Sequence, residues 1–532
     1  MDLGRKAVDM EGHKKDFPGW PVRILGSVHG LKEKNPACRG LWARIFNRLF
    51  GQNLLNSVLL VGMAVAIASP MLLPIEFAKD SDLWWHLADA RILTSTHQFI
   101  RVEPYSFAVA GQRWIDPEWL SELPYWFSYS AFGLRGIHLA ALAGLCANLL
   151  FLYFRSYWKS LDRKAALWTS VLAFFLMTVN TGARTIVVAY LVMSVEMAII
   201  EAAERGRKSL LWLLPPLYCL WINLHGSWII GLGFFGLYIG CGLVRINVGA
   251  FEQRAFSLTD RNRLIGVFLA CLASLMVNPY GWRMIWNPFD MFMNQKLTIA
   301  LMDEWQPLRL GSSTGIAAAV AIVLMIAANF ARPRKWKVYE LAFMLFAWYF
   351  AFAHQRFAYL ACIITMPWLA ADVARSYYGE PSEKTIPGLN ALFAAAIMGA
   401  LVYFIPSEAV LQKQLADSIP LQTIASIQPS WRTFSDYSMG GMLAFQSKPD
   451  FVDSRNDTFE HHGVLWQFVA IENLQSPFRL LNSNRIDHVL THANTPLAFA
   501  LEHSGGWRVK TQEGVGDNAC ELFVRVPGAV ED

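Results

Sequence analysis

Two aspartates separated by one residue, Asp80 and Asp82, begin a polar segment directly after a long apolar run. A carboxylate held beside a hydroxyl group can accept its proton while the oxygen attacks another molecule, which is general-base catalysis. Residues i and i+2 do not face each other on a helix, so the pair suits a junction between a loop and a helix. We predict Asp82 as the base and Asp80 as a helper. The alternative is that Asp82 only caps a helix from Leu83 to about Leu93.

Four cationic or protonatable residues stand in short gaps between apolar runs: Arg184, His225, His354 and Arg356. An arginine fork matches phosphate oxygens and keeps its charge when water is removed. A lipid-phosphate headgroup at a membrane surface would therefore suit these residues as a ligand. The alternatives are arginines that anchor at the interface and a histidine that is satisfied in the core.

Further carboxylates, amides and aromatic rings occur in the same segments. Tryptophan rings stack on sugars or, in the alternative, anchor a protein at the membrane interface. Glu304 is a further candidate for catalysis. The candidates for substrate binding are His86, Asp116, Glu118, Trp119, Asn223, Asn278, Trp305, Asp453 and Arg455.

The apolar runs between these residues are long enough, or nearly so, to cross a hydrocarbon core. The chain of 532 residues is 54% hydrophobic and only 16% charged, whereas soluble domains carry about 25% charged residues. The sequence therefore predicts an all-α polytopic membrane domain with about eleven spans. They lie at 54–74, 136–154, 165–181, 185–200, 209–224, 227–244, 264–279, 312–331, 338–353, 357–373 and 388–405.

The charges between the spans predict an orientation. Alternate gaps are rich in lysine and arginine, and the positive-inside rule places these gaps and the N-terminus in the cytoplasm. An odd number of spans then places the C-terminus outside. Every candidate residue falls on the outer side, in the large loops 75–135 and 280–311, in short gaps, at the outer ends of the neighbouring spans, or after the last span. Ionisable groups at membrane depth are costly unless they pair or line a wet cavity.

Three segments follow from this pattern. Residues 1–50 lack the apolar core of a signal peptide and are predicted as a cytoplasmic extension, followed by a transmembrane domain at 51–405. Residues 406–532 lose the long apolar runs and are predicted as a small soluble α/β domain outside. Its expected strands include Phe451-Val-Asp453 and 520–526, and the pairs Gly440-Gly441 and Gly505-Gly506 predict turns.

The motif Asp453-Ser-Arg455 would place both charged side chains on one face if it lay on a strand. We expect that face to point at the cavity, and the alternative is an internal salt bridge. The net charge of +5 is spread over many loops, which argues against a nucleic-acid partner. Seven scattered cysteines give no zinc or disulfide pattern. A divalent metal at Asp80 and Asp82 is weakly supported, since the spacing of carboxylates and histidines defines no site.

In their order along the chain and in their predicted position on the outer side of the membrane, the motifs resemble those of bacterial membrane glycosyltransferases of the GT-C superfamily. The first loop of such proteins has the patterns D-x-D-x-W-x-H, P-x-S-F and W-x-x-x-E-W-L, and later segments have W-x-N-x-H-G, N-P-x-G, E-W, G-G and D-x-R. The likeness covers about 54–530, most of the chain. The matching segments are 80–86, 104–107, 114–120, 221–226, 278–281, 304–305, 440–441 and 453–455.

This resemblance implies a GT-C-like membrane domain in the bacterial inner membrane, with the C-terminal domain in the periplasm. It implies a polyprenyl-phosphate-linked donor, whose hexosyl or pentosyl group passes with inversion to a hydroxyl of a glycan, lipid or protein acceptor. No other cofactor is implied with certainty. Arg184, His225, His354 and Arg356 would hold the donor phosphate.

Two other functions are compatible with parts of the pattern. A polysaccharide polymerase or ligase of the envelope also uses outer arginines and a large outward loop, but an aspartate directly after the first span favours the transferase. A transporter or flippase of lipid-linked saccharides would place polar residues near the midplane and show repeated halves. Here the polar residues gather on one side, and the sequence has no evident repeat.

Overall fold

The computed structural model describes residues 80–177, 183–376 and 405–528, together with Gly399 and Tyr403. The predicted extension 1–50, the predicted span 54–74 and most of the span predicted at 388–405 lie outside the described residues.

Helices dominate the part of the chain before residue 377. They are α1 Ser81–Thr96, α2 Trp119–Ser160, α3 Arg163–Met177, α4 Ile186–Glu204, α5 Leu214–Leu224, α6 Trp228–Cys241, α7 Leu258–Ser274, α8 Trp282–Asn294, α9 Lys296–Leu301, α10 Ser313–Ala331, α11 Val338–Ala353 and α12 Ala358–Ser376. A small sheet joins β1 Ile246–Val248, β2 Phe251–Gln253 and β3 Trp336–Lys337. Single 3-10 turns at Asp303–Trp305 and Gln355–Phe357 precede α10 and α12.

Some of these helices are suited to cross a membrane. Among the described residues, four are long and apolar enough, at Trp119–Ser160, Ile186–Glu204, Ser313–Ala331 and Gln355–Ser376. Two shorter apolar helices, α6 and α11, accompany them. The mainly helical, membrane-type architecture predicted from the sequence is confirmed, and the number of about eleven spans stays a prediction.

Helix α2 is broken into two parts at Gly133, whose backbone has φ 63° and ψ −145°. Both carboxylate oxygens of Glu408 accept from the backbone N–H groups of the next turn, Leu134 at 3.1 Å and Arg135 at 3.0 Å. A Cβ at Gly133 would lie 2.4 Å from this carboxylate. Glycine therefore gives the carboxylate access to a helix N-terminus, where negative charge is stabilised. The residues that follow, 134–160, are long enough to span a bilayer.

The C-terminal region is a small α/β fold, as predicted. Its helices are α13 Glu408–Ser418, α14 Leu421–Ser426, α15 Tyr437–Phe445, α16 Asn456–His461, α17 Val464–Glu472, α18 Pro477–Ser483 and α19 Pro496–His503. Its strands are β4 Thr433–Ser435, β5 His488–His492, β6 Trp507–Glu513 and β7 Cys520–Arg525. They form a sheet in the order β4-β5-β7-β6, in which only β4 and β5 are parallel.

Two local predictions for this region are wrong. Phe451 to Asp453 do not form a strand, so Asp453 and Arg455 lie in a bent segment before α16. Gly440 and Gly441 do not form a turn but lie inside α15. A Cβ at Gly441 would be 1.9 Å from the carbonyl oxygen of Ser81. The glycine pair therefore serves close helix packing, and it holds α15 against the beginning of α1.

Candidate active site

Two cavities meet where α1 begins. The first, of about 230 Å³, is lined by α1, α4, α6, α8 and the turns at residues 303–305 and 355–357. The second, of about 710 Å³, lies between α1, the turn at 303–305 and the helices α15 and α17 of the C-terminal region. The shared wall of the two cavities is formed by Asp82, Arg184, Met302, Glu304, Ser454 and Asn456. A group placed in either cavity therefore faces the same carboxylates and the same arginine.

The two aspartates of the first motif have different surroundings. Asp80, not Asp82, is the N-cap of α1, and its Oδ1 accepts from the backbone N–H of Asp82 at 3.2 Å. The alternative in which Asp82 only caps the helix is wrong, because the helix begins at Ser81 and not at Leu83. The carboxylate of Asp82 instead accepts from the indole N–H of Trp85 at 3.3 Å. Burial raises the pKa of Asp82 against the opposing effect of Arg184.

An ion-pair chain crosses the wall between the cavities. The Nε–H of Arg184 donates to Asp80 Oδ2 at 2.8 Å, and its NH1 donates to Glu304 Oε2 at 2.6 Å. The second oxygen of Glu304 lies 3.1 Å from NH1 of Arg356. The guanidinium of Arg356 also lies over the ring of Trp305, 4.4 Å from its centroid. Residues from four separate segments thus alternate in charge along one line.

The charges in this row of ion pairs keep its members ionised. Burial raises the pKa of Glu304, but Arg356 and Arg184 outweigh burial and hold that pKa below its usual range. Burial lowers the pKa of Arg184, but Asp80, Glu304 and Asp82 outweigh it and raise that pKa. The arginine and Glu304 are therefore charged at neutral pH. One carboxylate, Glu304, occupies a position between two guanidinium groups, where the oxygens of a phosphate would also be stabilised.

Two histidines line the first cavity in their neutral form. Burial lowers the pKa of His86 to about 4 and that of His225 to about 3. The Nδ1 of His225 accepts from the backbone N–H of Ser227 at 3.0 Å, so its proton is on Nε2, which lies 3.2 Å from Glu118 Oε1. The other oxygen of Glu118 accepts from the hydroxyl of Thr185. The one N–H of His225 is therefore directed at Glu118, and His225 could bond a ligand only in place of that contact and without a full positive charge.

Four predicted residues support the wall from behind. The indole N–H of Trp119 donates to Asn223 Oδ1 at 3.0 Å. Asn278 closes its own turn, with bonds to the carbonyls of residues 275 and 281. The Nδ1 of His354 bonds to the carbonyl of Trp305. None of Trp119, Asn223, Asn278 and His354 is among the described residues that line the two cavities.

Arg455 reaches the first cavity from the C-terminal region. Its guanidinium is bonded to Asp453 Oδ2 at 2.6 Å and to Glu103 Oε1 at 2.8 Å, and all three side chains are buried. The salt bridge that was the alternative for Asp453 and Arg455 is therefore present. It extends to Glu103, and so joins the first loop to the C-terminal region. Arg455 lines the cavity, whereas Asp453 lies behind it.

The sequence motifs missed several residues that face the cavities. Ser454 lies on both cavities and accepts from the indole N–H of Trp85 at 3.1 Å. Asn456 also lines both, and its amide donates to the hydroxyl of Tyr437, which lines the second cavity. Ser454 is the middle residue of the Asp-x-Arg motif, which was the one available signal in the sequence.

The predicted metal ligands, Asp80 and Asp82, do not fit a metal ion as they are arranged. One oxygen of Asp80 caps a helix and the other binds a guanidinium. Asp82 accepts from an indole N–H. A cation there would have to displace Arg184 from Asp80, so no step of the reaction is assigned to a metal at these two residues.

Comparison with known proteins identifies the fold. The oligosaccharyltransferase of Archaeoglobus fulgidus in the apo form matches with a TM-score of 0.51 and 10% identity, over 90% of this chain and 75% of that chain. The same enzyme tethered with an acceptor peptide containing the NVT sequon gives 0.52 and 11%, over 89% and 76%. ArnT from Cupriavidus metallidurans bound to undecaprenyl phosphate gives 0.49 and 13%, over 88% and 98%.

At these low identities the comparison with the oligosaccharyltransferase establishes the fold and not the activity. No protein-family model matches the sequence, and no curated protein matches it. The GT-C-like fold predicted from the order of the motifs is confirmed.

Proposed function

The chain has the GT-C fold, and from its site we propose that it is an integral membrane glycosyltransferase. It would move a sugar from a polyprenyl-phosphate-linked donor to an acceptor hydroxyl. The observation that carries this proposal is the shared wall of the two cavities, where Asp82 stands beside Arg184 and Glu304. A transferase needs two substrates to meet at a base and at a group that stabilises the leaving phosphate, and this wall offers both.

The first cavity suits the donor. Its wall combines apolar side chains from α6 and α8, such as Ile229, Ile230 and Phe292, with the guanidinium groups of Arg184 and Arg356. Apolar side chains suit a polyprenyl chain, and the arginines suit the phosphate oxygens. Helix α8 also exposes large apolar side chains along its length, as expected of a helix in contact with lipid.

Glu304 would act as a positioning residue for the donor. It binds both arginines in this structure, at 2.6 Å and 3.1 Å. A donor phosphate that bonds to Arg184 and Arg356 would replace some of these contacts. Glu304 would then keep the two guanidinium groups oriented before the donor enters and would yield part of its place to the phosphate.

The second cavity suits the acceptor. It carries hydroxyl and amide groups from both parts of the chain, including Ser81, Tyr437 and Asn473, which are able to bond a polar acceptor. In the proposed step, the acceptor oxygen attacks the anomeric carbon and its proton passes to Asp82. The bond from the anomeric carbon to the phosphate oxygen breaks, and its electron pair stays on the polyprenyl phosphate. Attack opposite the leaving group would invert the anomeric configuration.

Asp82 is a better candidate for the base than Asp80. Burial raises the pKa of both aspartates, but the two oxygens of Asp80 are already engaged by Arg184 and by the backbone of α1. Asp82 lines both cavities and has a raised pKa, and a base whose pKa lies closer to neutral removes a proton more effectively. Asp80 would instead hold Arg184 in place.

The experiment that tests the proposal uses the purified chain in lipid nanodiscs. Undecaprenyl phosphate should bind and raise the melting temperature, and Arg184→Ala should weaken this binding. A panel of undecaprenyl-phosphate-linked sugars should then release undecaprenyl phosphate when an acceptor is added. If the wild-type chain neither binds undecaprenyl phosphate nor releases it from any donor, the proposed activity is wrong.

The predicted orientation belongs to the same proposal, with the site and residues 406–532 on the periplasmic side of the inner membrane. An engineered cysteine at Asp517, an exposed residue of the C-terminal region, should react with a membrane-impermeant maleimide in intact spheroplasts. Ser435 is unsuitable for such labelling because its side chain is fully buried. Labelling of Asp517→Cys only after the membrane is opened would reverse the orientation.

A further inference from the structure

Three buried carboxyl groups meet beneath the first cavity, outside the machinery described above. They are Asp89 on α1, Asp116 in the loop that follows and Glu122 in the first turn of α2, with exposures of 1%, 4% and 0%. One carboxylate oxygen from each lies within 4.8 Å of the other two. We call these residues the acidic triad.

Each member of the triad has one oxygen bound by a donor that fixes its orientation. Asp89 Oδ1 accepts from the hydroxyl of Tyr105 at 2.6 Å, and Asp116 Oδ1 accepts from the backbone N–H of Glu118 at 2.9 Å. Glu122 Oε1 lies 2.7 Å from Nδ1 of His86. These contacts fix one oxygen of each carboxyl group, and the carboxyl groups of Asp116 and Glu122 are also hydrogen-bonded to each other.

The remaining oxygens are buried without a donor. Among the described residues, neither Asp89 Oδ2 nor Glu122 Oε2 has a hydrogen-bond donor, although both atoms are shielded from solvent. A buried oxygen of this kind costs about 1–3 kcal/mol or more when it is charged and left alone. Two such oxygens in one cluster can be stabilised by a shared proton or by a bound cation.

Arg455 lowers the pKa of Asp89 and of Asp116, but burial outweighs it. Arg455 is already bonded to two other carboxylates, Asp453 and Glu103. These two together with the triad give five buried carboxyl groups around one arginine. Isolated buried carboxylates are strongly disfavoured unless they are paired, protonated or bound to a metal.

We propose that the acidic triad of Asp89, Asp116 and Glu122 binds one calcium ion. Carboxylate oxygens alone suit hard cations and not zinc or copper. Calcium binds oxygen at about 2.3–2.6 Å, so three oxygens spread evenly around it lie about 4.2 Å apart. Magnesium binds at about 2.0–2.1 Å, which brings three such oxygens to about 3.6 Å. The three oxygens here lie within 4.8 Å of one another, and at that separation the larger calcium ion requires the smaller movement of the side chains.

The ion would act on the structure and not on the reaction. It would tie together three successive segments of the chain: helix α1, the loop before Glu118, and the beginning of α2. Two of these segments carry cavity residues, because His86 and Glu118 line the first cavity. Calcium would therefore hold the wall of the site in place without contact with a substrate.

The test uses the full-length chain, purified in detergent and treated with EGTA. Calcium chloride alone should raise the melting temperature with a midpoint at or below about 1 mM, in the range of extracellular calcium sites. Equilibrium dialysis with ⁴⁵Ca should give one saturable ion per chain. Magnesium at the same concentration should give a smaller shift. These measurements need no variant, and they are independent of sugar transfer.

Variants of the acidic triad test whether its carboxyl groups bind a metal ion or share protons with one another. Asp89→Asn should abolish the saturable binding and the calcium-dependent shift, and Asp116→Asn is a second variant if the first does not fold. Asp517→Asn, at an exposed position, should bind calcium like the wild type. No saturable calcium on the wild type would overturn the proposal, as would Asp89→Asn binding like the wild type. If calcium neither binds to the wild-type chain nor raises its melting temperature, and Asp89→Asn melts at a higher temperature than the wild type, the triad holds protons and not a metal.

Discussion

Replacement of Asp82 by asparagine separates catalysis from architecture at this site. The substitution keeps the size of the side chain and an oxygen that can accept from the indole N–H of Trp85, now at 3.3 Å. It removes the negative charge and nearly all basicity. Because Asp80 and not Asp82 caps α1, no helix cap is lost. The structure therefore predicts a folded protein that has lost its base.

The two expected magnitudes differ widely. Loss of a general base lowers a rate by roughly 10²–10⁴-fold, which corresponds to about 3–5 kcal/mol of transition-state stabilisation. The folded state should change by no more than about 1 kcal/mol, since a neutral hydrogen bond replaces the one to the carboxylate. Burial already disfavours the charge of Asp82, as its raised pKa shows, so removing that charge offsets part of any loss.

The assay compares kcat with melting temperature for the donor that the wild-type chain uses. Asp82→Asn should lose most of kcat while its melting temperature stays within a few degrees. Asp517→Asn, an exposed aspartate, is the matched control and should keep both. The acidic limb of the kcat/KM profile of the wild type should lie above the usual aspartate pKa of about 3.9, because only the ionised base is active. A variant that retains activity within a few-fold would refute Asp82 as the base, and Asp80→Asn would be examined next.

Arg184→Ala and Arg356→Ala should raise the KM for the lipid-linked donor by about tenfold or more, because a charge-assisted bond to phosphate contributes about 1.5–3 kcal/mol; initial rates measure this, and a fall in kcat alone would contradict it. The hydrogen bond that His492 donates to the carboxylate of Asp436, and then its bond with Cys520, raise the pKa of His492 to about 10. This stabilisation is complete below about pH 6.5 and is lost as the pH rises through about 10, so urea unfolding of Asp436→Asn should show a flatter pH dependence. Gly441→Ala should destabilise the chain by about 1–3 kcal/mol, seen as a lower melting temperature, since the added Cβ would lie 1.9 Å from a backbone oxygen of α1.

Local patterns in the sequence were sufficient for the membrane architecture and for the main candidates. Long apolar runs have to be buried in lipid or protein, so their helical form follows from composition alone. The residues Asp82, His86 and Asp89 stand at i, i+4 and i+7, which places them on one face of a helix. That face is the one that meets the first cavity and the acidic triad in the structure. The spacing was available in the sequence, although the candidates taken from motifs included only the first two.

Tertiary structure decided which of these groups are partners. Arg184 bonds to Asp80 across 104 residues and to Glu304 across 120 residues, and no periodicity in a sequence reports on such distances. Gly441 lies against the carbonyl oxygen of Ser81 at the beginning of α1, where a side chain would not fit. The glycine pair therefore allows close helix packing, although its sequence resembles that of a turn. Helix periodicity fixes which side chains share a face, because it depends on neighbouring residues only. The packing of the whole chain decides which helix faces contact each other. In this structure it places Asp80 against Arg184 and places Asp82 on both cavities.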